Sequence, residues 1–369
     1  MTIGITGATG FLGASLAARI AAALPDGDRI VTFGSRHTAN PLTVDLGLSC
    51  ERLDVTDRDE AIRLTRGIDV LYHVAGAVDY SRRLRQRTWD VNVLGTRNIL
   101  DAAIANRIAR VICVSSICVM GVPAGDGACA DETNDRYAPG MNPISFAGPE
   151  DALHAVEDSL RDDYRFLRRV RIPYFDSKIA AFELAGRYAS DKGLDVVRVL
   201  PGTAVGAGDI GLALAGLVQR VYDSRLAFTL PGGTSFVSSV DVARGVHLAG
   251  ERGRRGGVYI ITGRREDNLG HRDFMRLVAG VVRDCYGRRC REDFTVVPAR
   301  LAVACARVIE SVSPGGSLQE GLVLSGCLVH RFQSIRAKEE LGYEPLVPLR
   351  DSIRACIDFT LRVQKESHT

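Results

Sequence analysis

Lysine is scarce in this chain, although basic residues are not. Lysine and arginine together number 47, and the only lysines are Lys178, Lys192, Lys338 and Lys365. Because acidic residues number 44, the formal net charge is only +3, and so weak a field does not hold nucleic acid or an anionic membrane non-specifically. We therefore expect no nucleic acid and no membrane among the partners. The arginine bias is more typical of a GC-rich genome than of a polyanion ligand.

Long apolar runs and a leader segment are also lacking. The longest apolar runs, such as LAARIAAAL and LAVACARVI, are about half of a membrane span, and each carries an arginine. The chain begins MTIGITGATG and enters an alternating apolar segment without the basic region or cleavage site of a signal peptide. These absences predict a cytoplasmic protein.

Clustered metal ligands and nucleophile motifs are missing as well. The nine cysteines are scattered, and the closest pairs, Cys113 with Cys118 and Cys285 with Cys290, have neither zinc-ligand nor redox spacing. Neither His-Glu-x-x-His nor Gly-x-Ser-x-Gly occurs. We expect reduced, mostly buried thiols, no metal site and no nucleophilic hydrolase chemistry.

Short β-branched runs alternate with helical patterns over the first two thirds of the chain. The strand-like runs are TIGIT, DRIVTFG, IDVLYHVAG, ARVICVSS, LDVVRVL and, later, GGVYIITG. Strands separated by helices form βαβ units, so the pattern predicts an α/β fold with a doubly wound, mostly parallel sheet of the Rossmann type. At 369 residues the chain also has material for a second, smaller domain.

A glycine-rich loop, TGATGFLG, follows the first strand and leads into the helical run ASLAARIAAAL. Its glycines recur every third residue. Backbone can approach an anion closely where Cβ atoms are absent, and the helix N-terminus that follows presents free N–H groups. We predict that the loop binds the pyrophosphate of a dinucleotide; a merely tight turn is the alternative. The predicted contacts are Gly7, Thr9, Gly10, Phe11, Leu12 and Gly13.

Two further segments bear on the dinucleotide. The second strand ends in Ser35 and Arg36 without a carboxylate, and a basic group at this point accommodates a 2′-phosphate, which favours NADP over NAD. NAD stays open, because Arg36 can equally be one surface arginine among many. After the third strand, in LDVTD, we assign Asp54 and Val55 to the cofactor site. Asp54 can bind the adenine amino group or cap the strand end.

No linker or repeat divides the chain, so the second domain is expected to be interleaved with the first. We assign residues 1–205, completed by 236–263, to the dinucleotide-binding domain and residues 206–235 and 264–369 to the substrate domain. Within the first, residues 134–170 form a helical insertion. Its apolar stripe comprises Leu153, Val156, Leu160, Tyr164 and Leu167, with Arg168 and Arg169 in the last turn. Whether this helix covers a pocket or pads a subunit contact is open.

The chemical residues come from a strand end and a helix. ARVICVSSICVMG reads as a buried strand that finishes with Ser115 and Ser116 at the edge of the sheet where ligands bind. Tyr174 and Lys178 lie four positions apart on one face of a helix that Pro173 begins. An ammonium one turn away, with a positive nicotinamide ring, lowers the pKa of the phenol and makes it a proton shuttle. A surface Tyr/Lys pair is the structural alternative.

Together these motifs resemble the extended short-chain dehydrogenases/reductases. The resemblance covers residues 2 to about 360 and includes HVAG, WDVNVLGTRNIL, VSSICVMG, YFDSK, VLPGTAVGAGD and FVSSVDVARGVHLA. The Ser-Ser-Ile strand and the Leu-Pro-Gly-Thr turn look most like the dihydroflavonol reductase and 3β-hydroxysteroid dehydrogenase subgroups. Family members often pair through the helix that bears the tyrosine, which makes a homodimer a candidate assembly.

The resemblance implies roles for individual residues. Ser116 polarises a carbonyl, with Ser115 as the fallback if the register slips by one, and Tyr174 passes the proton beside Lys178. Asn92 is structural or part of a proton relay. The remaining implied cofactor contacts are Ala75 and Gly76 in HVAG, and Pro201 and Thr203 beside the nicotinamide.

The expected function is NADP(H)-dependent hydride transfer between the nicotinamide and a ketone or secondary alcohol on an apolar small molecule, in secondary or steroid-like metabolism. Nucleotide-sugar epimerisation on the same scaffold is the alternative. Dehydration is disfavoured, because Ile117 and Cys118 stand where sugar dehydratases carry Asp-Glu. A non-catalytic dinucleotide sensor is a third reading, which the retained Tyr174 and Lys178 oppose. Ser116 and Tyr174 lie 58 positions apart, about twice the spacing expected in the family, so the substrate entrance should be unusual.

Overall fold

A computed structural model describes residues 1–35, 40–123, 129–134, 137, 145–211, 214–313 and 318–366. The strands are β1 Thr2–Thr6, β2 Arg29–Gly34, β3 Cys50–Arg52, β4 Val70–His73, β5 Arg110–Val114, β6 Val196–Pro201, β7 Thr203–Val205, β8 Phe228–Thr229, β9 Gly233–Ser238, β10 Val258–Ile261, β11 Asn268–Gly270, β12 Thr295–Val296 and β13 Val329–His330. The α-helices are α1 Phe11–Ala21, α2 Pro41–Val44, α3 Arg58–Leu64, α4 Arg85–Trp89, α5 Gly95–Ala105, α6 Pro149–Leu160, α7 Pro173–Ser190, α8 Ala215–Tyr222, α9 Ser239–Arg252, α10 His271–Tyr286, α11 Ala299–Val312, α12 Glu320–Gly326 and α13 Leu349–Glu366.

The larger sheet has seven parallel strands in the order β10-β6-β5-β4-β1-β2-β3. Its strands are apolar runs because helices cover both faces, so residues on either side of the pleat are buried. All six strand-like runs named from the sequence are strands of this sheet, which confirms the doubly wound α/β prediction. The strand order reverses between β1 and β4, and a ligand crevice opens at the carboxyl ends of strands at such a switch point.

A smaller sheet and a second apolar core complete the molecule. Strand β9 pairs with β7 and β13 in parallel and with β11 antiparallel, while β8 and β12 form a separate two-stranded sheet. Helices α8, α10 and α13 pack together beside the smaller sheet around Val218, Phe236, Phe274, Val278 and Ile353. Segments from 206–235 and 264–369 thus meet in one core, while the exact division into two domains stays a proposal.

The helical insertion is shorter than the sequence predicts. Helix α6 buries Leu153 and Val156 against α7, as expected. It ends at Leu160, which is 41% exposed, because Asp162 takes a left-handed conformation with φ of 55° that an α-helix cannot continue. A short 3₁₀ turn, Arg165–Arg168, follows. Tyr164, Leu167, Arg168 and Arg169 therefore lie outside the helix, and the prediction of one stripe up to Leu167 is wrong.

Helix α6 also bears on whether α7 is available for a contact between subunits. The small residues Ala180, Ala181, Ala185 and Ala189 of α7 are buried within the single chain, where α4, α5 and α6 pack on this helix. A homodimer stays a proposal, and a contact through α7 would require α6 to move aside. Among the helices in the described ranges, none combines the length and the apolar character needed to cross a bilayer.

Candidate active site

The glycine-rich loop is held between α1 and the segment that follows β4. Gly7 has φ of +76°, and a Cβ there would lie 2.7 Å from the backbone nitrogen of Ala75. A Cβ on Gly13 would lie 2.1 Å from the carbonyl oxygen of Gly7. Both positions require glycine for close backbone approach, which is what the sequence predicted of the loop. Gly34, which the sequence did not single out, is needed too, because a Cβ there would lie 2.4 Å from Cγ2 of Thr9.

The N-terminus of α1 suits an anion. The N-cap residue Gly10 has no side chain to cap the helix, and the first turn carries no acidic residue. The first intrahelical bond runs from the Ala14 N–H to the Gly10 carbonyl, at 3.0 Å. The N–H groups of Phe11, Leu12 and Gly13 therefore have no acceptor within the helix. This arrangement fits the pyrophosphate of a dinucleotide.

Asn40 lies beside the glycine-rich loop, with its side-chain nitrogen 3.5 Å from the Gly10 carbonyl, and was missed by the sequence reasoning. Its side-chain nitrogen donates to the Gly208 carbonyl at 2.9 Å, and its side-chain oxygen accepts from the Leu42 backbone at 3.1 Å as the N-cap of α2. The residue is fully buried. It therefore ties the segment after β2 to the loop after β7. The Asn-Pro pair at 40–41 is a helix-start signal that could have marked the cap but not its distant partner.

The predicted adenosine contacts are only partly described. Ser35 is exposed at the end of β2, and Arg36 lies outside the described residues, so its pairing with a 2′-phosphate stays a prediction. Asp54 is exposed and its Oδ1 accepts from the backbone and the hydroxyl of Thr56, at 3.0 and 2.7 Å. Of the two alternatives, the strand-end cap is therefore formed. Val55 is buried against Gly95, where a Cβ would lie 2.7 Å from Cγ2 of Val55.

A directional chain of hydrogen bonds runs beneath the nicotinamide end of the crevice. The Thr6 hydroxyl, which accepts from the Ala75 N–H at 3.3 Å, lies 2.9 Å from Nδ1 of His73. Nε2 of His73 lies 3.1 Å from the Thr96 hydroxyl, which itself donates to the Asn92 carbonyl at 2.6 Å. This order assigns the proton of His73 to Nε2. Burial and the nearby Lys178 lower the pKa of His73 to about 3, so the ring is neutral.

Asn92 has a structural role. It lies in a π-helical turn, Asp90–Leu94, and its amide bonds both backbone groups of Ala77 at 2.8 and 3.0 Å and the Ser177 hydroxyl at 2.9 Å. These bonds lock the segment after β4 onto α7. Of the two roles that the resemblance left open, the structural one is therefore visible in the contacts.

Lys178 is buried at the floor of the crevice. Its Nζ donates to the Val114 carbonyl at 3.4 Å, and a Cβ on Gly76 would lie 3.1 Å from Nζ. Burial lowers the pKa of the ammonium. Beneath it lies a cavity of about 20 Å³, large enough for one water molecule. Ser115 lines this cavity, and its hydroxyl has no hydrogen-bond partner among the described residues.

Tyr174 and Ser116 meet above Lys178. Ser116 caps the turn Ile117–Met120, accepting from the Cys118 backbone at 3.3 Å, and its hydroxyl lies close enough to the Tyr174 phenol to act on the pKa of that group. The geometry thus brings Ser116, rather than the fallback Ser115, to the phenol. Burial raises the pKa of Tyr174 well above its ordinary value, and the neighbouring Ser116 hydroxyl opposes that shift only in part. In the chain alone desolvation dominates the pKa of this phenol, and the lowering expected from the ammonium together with a positive nicotinamide ring stays a prediction.

Asp176, between the tyrosine and the lysine, anchors the first turn of α7. Its carboxylate accepts from the Ser145 N–H at 2.9 Å and from the N–H groups of Arg171 and Ile172 at 3.2 and 3.3 Å. Burial raises the pKa of Asp176 to about 6, and these hydrogen bonds oppose the shift. No sequence pattern marks this role, because the Ser145 donor comes from a segment that is distant along the chain.

The smaller sheet closes the other side of the site. Pro201 ends β6, and the Thr203 hydroxyl in β7 lies 3.0 Å from the Thr234 hydroxyl in β9. In β13, His330 pairs in register with Thr234, and its ring meets Phe175 edge-on at a centroid distance of 5.4 Å. The strand pairs therefore bring His330 between the predicted nicotinamide contacts and the start of α7.

His330 is a further site residue that the sequence did not reveal. The residue is 7% exposed, and its Nε2 is buried without a hydrogen-bond partner in the described part of the chain. Burial and the neighbouring His271 lower its pKa to about 4, which keeps the ring neutral. A lone histidine in CLVHRF carries no spacing signal, so only its packing marks it.

The fold and the site define an extended short-chain dehydrogenase/reductase, with a dinucleotide loop at the switch point and a Ser/Tyr/Lys group at the adjacent strand end. The sequence pattern of the NAD dependent epimerase/dehydratase family matches residues 3–262, and the chain belongs to that family. It is therefore an NAD(P)-dependent enzyme acting on CH–OH or C=O groups.

Comparisons with known proteins agree with this membership. The chain is 30% identical over 266 residues to the sterol demethylase protein B of Methylococcus capsulatus, covering 71% of this chain and 70% of that protein. It is 29% identical over 262 residues to a putative dihydroflavonol 4-reductase of Synechocystis, covering 70% and 66%. The solved structure titled gox2253 superposes with a TM-score of 0.72 at 27% identity over 98% of both chains.

Proposed function

We propose that this protein transfers a hydride between NADP(H) and a ketone or secondary alcohol of an apolar small molecule. The observation that carries the proposal is the placement of Ser116 and Tyr174 next to each other at the carboxyl edge of the sheet, with the Lys178 ammonium buried near the Val114 carbonyl of the same strand. A carbonyl oxygen placed at this hydroxyl pair receives one hydrogen bond and one proton in a desolvated setting. Screening ketones and nucleotide sugars for oxidation of NADPH and NADH tests it.

The chain's residues fit the cofactor at both ends. The N-terminus of α1 is free to receive a pyrophosphate, and Lys178 lies next to the exposed backbone of Gly76, where an ammonium can bond a ribose hydroxyl. Pro201 ends β6 and Thr203 begins β7 two residues later, where they would line the nicotinamide. When bound, the cofactor supplies the hydride.

Tyr174 is suited to act as an acid. Because burial raises its pKa, the phenol is protonated at neutral pH and can give its proton to a substrate oxygen as the hydride arrives. Ser116 polarises the same oxygen, and Lys178 stabilises the phenolate that forms. In the reverse direction the same groups accept the proton.

The surroundings of Tyr174 favour an apolar substrate. The ring of Tyr80 lies 5.5 Å from that of Tyr174, and Phe175 packs against both at 6.1 and 6.4 Å. Aromatic walls recognise flat apolar molecules better than sugars rich in hydroxyl groups. The names of the two curated relatives, a sterol and a dihydroflavonol enzyme, support the same substrate class. Buried Ile117 and Cys118 after Ser116 offer no acid for a dehydration.

For the cofactor preference, Arg36→Ala is expected to raise the Kd of NADPH by about tenfold to a hundredfold, because a charged contact to a 2′-phosphate is lost. The Kd of NADH should change less than about threefold. Fluorescence titration of both cofactors measures this, with Arg52→Ala, at an exposed arginine that ends β3, as the control. Equal losses for both cofactors would show that Arg36 does not meet the phosphate.

For the substrate side, we expect His330 to donate a hydrogen bond to a second oxygen of the substrate. His330→Phe keeps the ring packed on Phe175 and removes the donor, so KM for the ketone should rise about tenfold with kcat nearly unchanged. His330→Gln, which retains a donor, should recover part of the loss. An unchanged KM in the phenylalanine variant would make His330 a packing residue.

A further inference from the structure

Helix α11 presents an apolar face that nothing in the described chain covers. Leu301, Val308 and Val312 are 56%, 64% and 82% exposed, and the exposed Cys305 falls between them at steps of four, three and four. These side chains lie on one side of the helix. The only fully buried residue of α11 is Ala306, so the helix rests on the protein by a narrow contact with α12. Scattered exposed apolar residues are ordinary on a protein surface, but a continuous stripe marks a binding face.

The charges around this stripe are positive. Arg300 and Arg307 belong to the same helix, on one flank of the apolar face, and its single acid is Glu310. Glu310 is turned inward, where it accepts from the backbone of Glu320 at 2.8 Å and of Arg82 at 3.3 Å. The apolar face therefore carries arginines at its border and no carboxylate of its own.

A second group of arginines lies alongside α11. Arg82 and Arg307 both pair with the buried carboxylate of Glu320, at 2.9 and 2.7 Å, which holds the segment 82–87, RRLRQR, against α11 and α12. This segment contains four arginines and no acid. In the part of the chain that the structure describes, Arg83 and Arg300 pair with no carboxylate. A local excess of positive charge thus borders the stripe although the whole chain is nearly neutral.

We propose that α11 docks on the surface of an anionic lipid bilayer, with its apolar stripe at the acyl boundary and the bordering arginines among the headgroups. An apolar face flanked by arginines is the arrangement of helices that lie in the membrane interface. A second copy of the chain suits the stripe less well. A two-fold contact centred on α11 would set arginines of one copy against those of the other. The low net charge argued against non-specific attraction of the whole chain, not against one oriented face.

The apolar face of α11 lies near the candidate active site. A Cβ on Gly321, the second residue of α12, would lie 2.8 Å from the Tyr80 carbonyl, and the Tyr80 ring touches that of Tyr174. The helix pair that bears the stripe therefore borders the aromatic wall of the site. Docking would bring the entrance close to a membrane in which an apolar substrate dissolves. This last step rests on the function proposed above; the docking itself does not.

Vesicle co-sedimentation of the full chain tests the proposal. We expect the protein to pellet with vesicles of phosphatidylcholine containing about one third phosphatidylglycerol, and much less with phosphatidylcholine alone. Val308→Asp combined with Val312→Asp should lower the bound fraction about tenfold or more. Arg300→Glu should lower the bound fraction on anionic vesicles and leave the bound fraction on neutral vesicles unchanged. Val240→Asp, at a valine 58% exposed on α9, is the matched control and should bind like the wild type.

All these positions are on the surface, so we expect each variant to fold like the wild type. Thermal unfolding and NADPH binding of each variant check this. Wild-type protein that stays in the supernatant, or a double variant that pellets like the wild type, overturns the proposal. A dimer in sedimentation equilibrium that the double variant converts to a monomer also overturns it, because the face would then belong to a second copy. None of these outcomes depends on turnover, so a failure of the proposed reaction is seen separately.

Discussion

Tyr174→Phe is expected to lower turnover of a ketone by about a hundredfold to ten-thousandfold, the usual contribution of a positioned proton donor. The change removes only the phenolic oxygen, so the ring contacts with Tyr80 and Phe175 remain. Since the loss falls on the chemical step, kcat should collapse while the Kd of NADPH stays within about threefold. Steady-state kinetics and fluorescence titration of the cofactor measure the two effects.

The matched control is Tyr80→Phe in the same aromatic group. The Ser325 hydroxyl acts on the pKa of the Tyr80 phenol, whereas the Ser116 hydroxyl acts on that of Tyr174, so this variant should keep turnover within a few-fold of the wild type. If both variants lost turnover equally, the aromatic wall rather than the Tyr174 proton would control the rate. Undiminished turnover in Tyr174→Phe would remove this residue from the chemistry.

Gly13→Ala is expected to have the second large effect, on cofactor binding. The new methyl group would stand 2.1 Å from the Gly7 carbonyl and 3.0 Å from Cα of Ala8, and backbone atoms cannot yield without shifting the loop from α1. We expect a loss of about 1–3 kcal/mol in the free energy of unfolding. The Kd of NADPH should rise about a hundredfold, because the N–H groups at the start of α1 leave their positions.

Gly148→Ala provides the control for this substitution. A Cβ on Gly148 meets no atom within 4 Å, and its φ of −168° is extended backbone that any residue adopts. Stability and cofactor affinity should both stay near those of the wild type. Calorimetry and cofactor titration of the two variants decide the matter. Wild-type affinity for NADPH in a folded Gly13→Ala protein would show that this loop does not hold the cofactor.

Local patterns were enough to predict the larger sheet and the dinucleotide loop. The strands are continuous apolar runs because both faces of a parallel sheet are buried, and the glycines recur because Gly7 and Gly13 approach other backbone atoms. The end of α6 was mispredicted for an equally local reason. The apolar periodicity runs on through Leu167, but Asp162 adopts a positive φ that periodicity does not record.

The remaining site residues depend on contacts between distant segments. Asn40 bonds Gly208, and Asp176 collects donors from residues 145 and 171–172. His330 reaches the site only because β13 pairs with β9. The choice between Ser116 and Ser115 likewise needed coordinates, because adjacent residues of a strand end point in different directions. The effect of burial on the pKa of Tyr174 in the chain alone is likewise beyond the reach of spacing, which reports the nearby ammonium but not the packing around the phenol.

Net transfer of a labelled hydride tests the central claim most directly. Ketones of the sterol and flavonoid classes would be incubated with NADPH that carries deuterium at the transferred position, and the products analysed by mass spectrometry. We predict one deuterium in the alcohol, one NADPH consumed for each product molecule, and the loss of both in Tyr174→Phe. Epimerised nucleotide sugars with no net consumption of cofactor, and no labelled alcohol from any ketone, would contradict it.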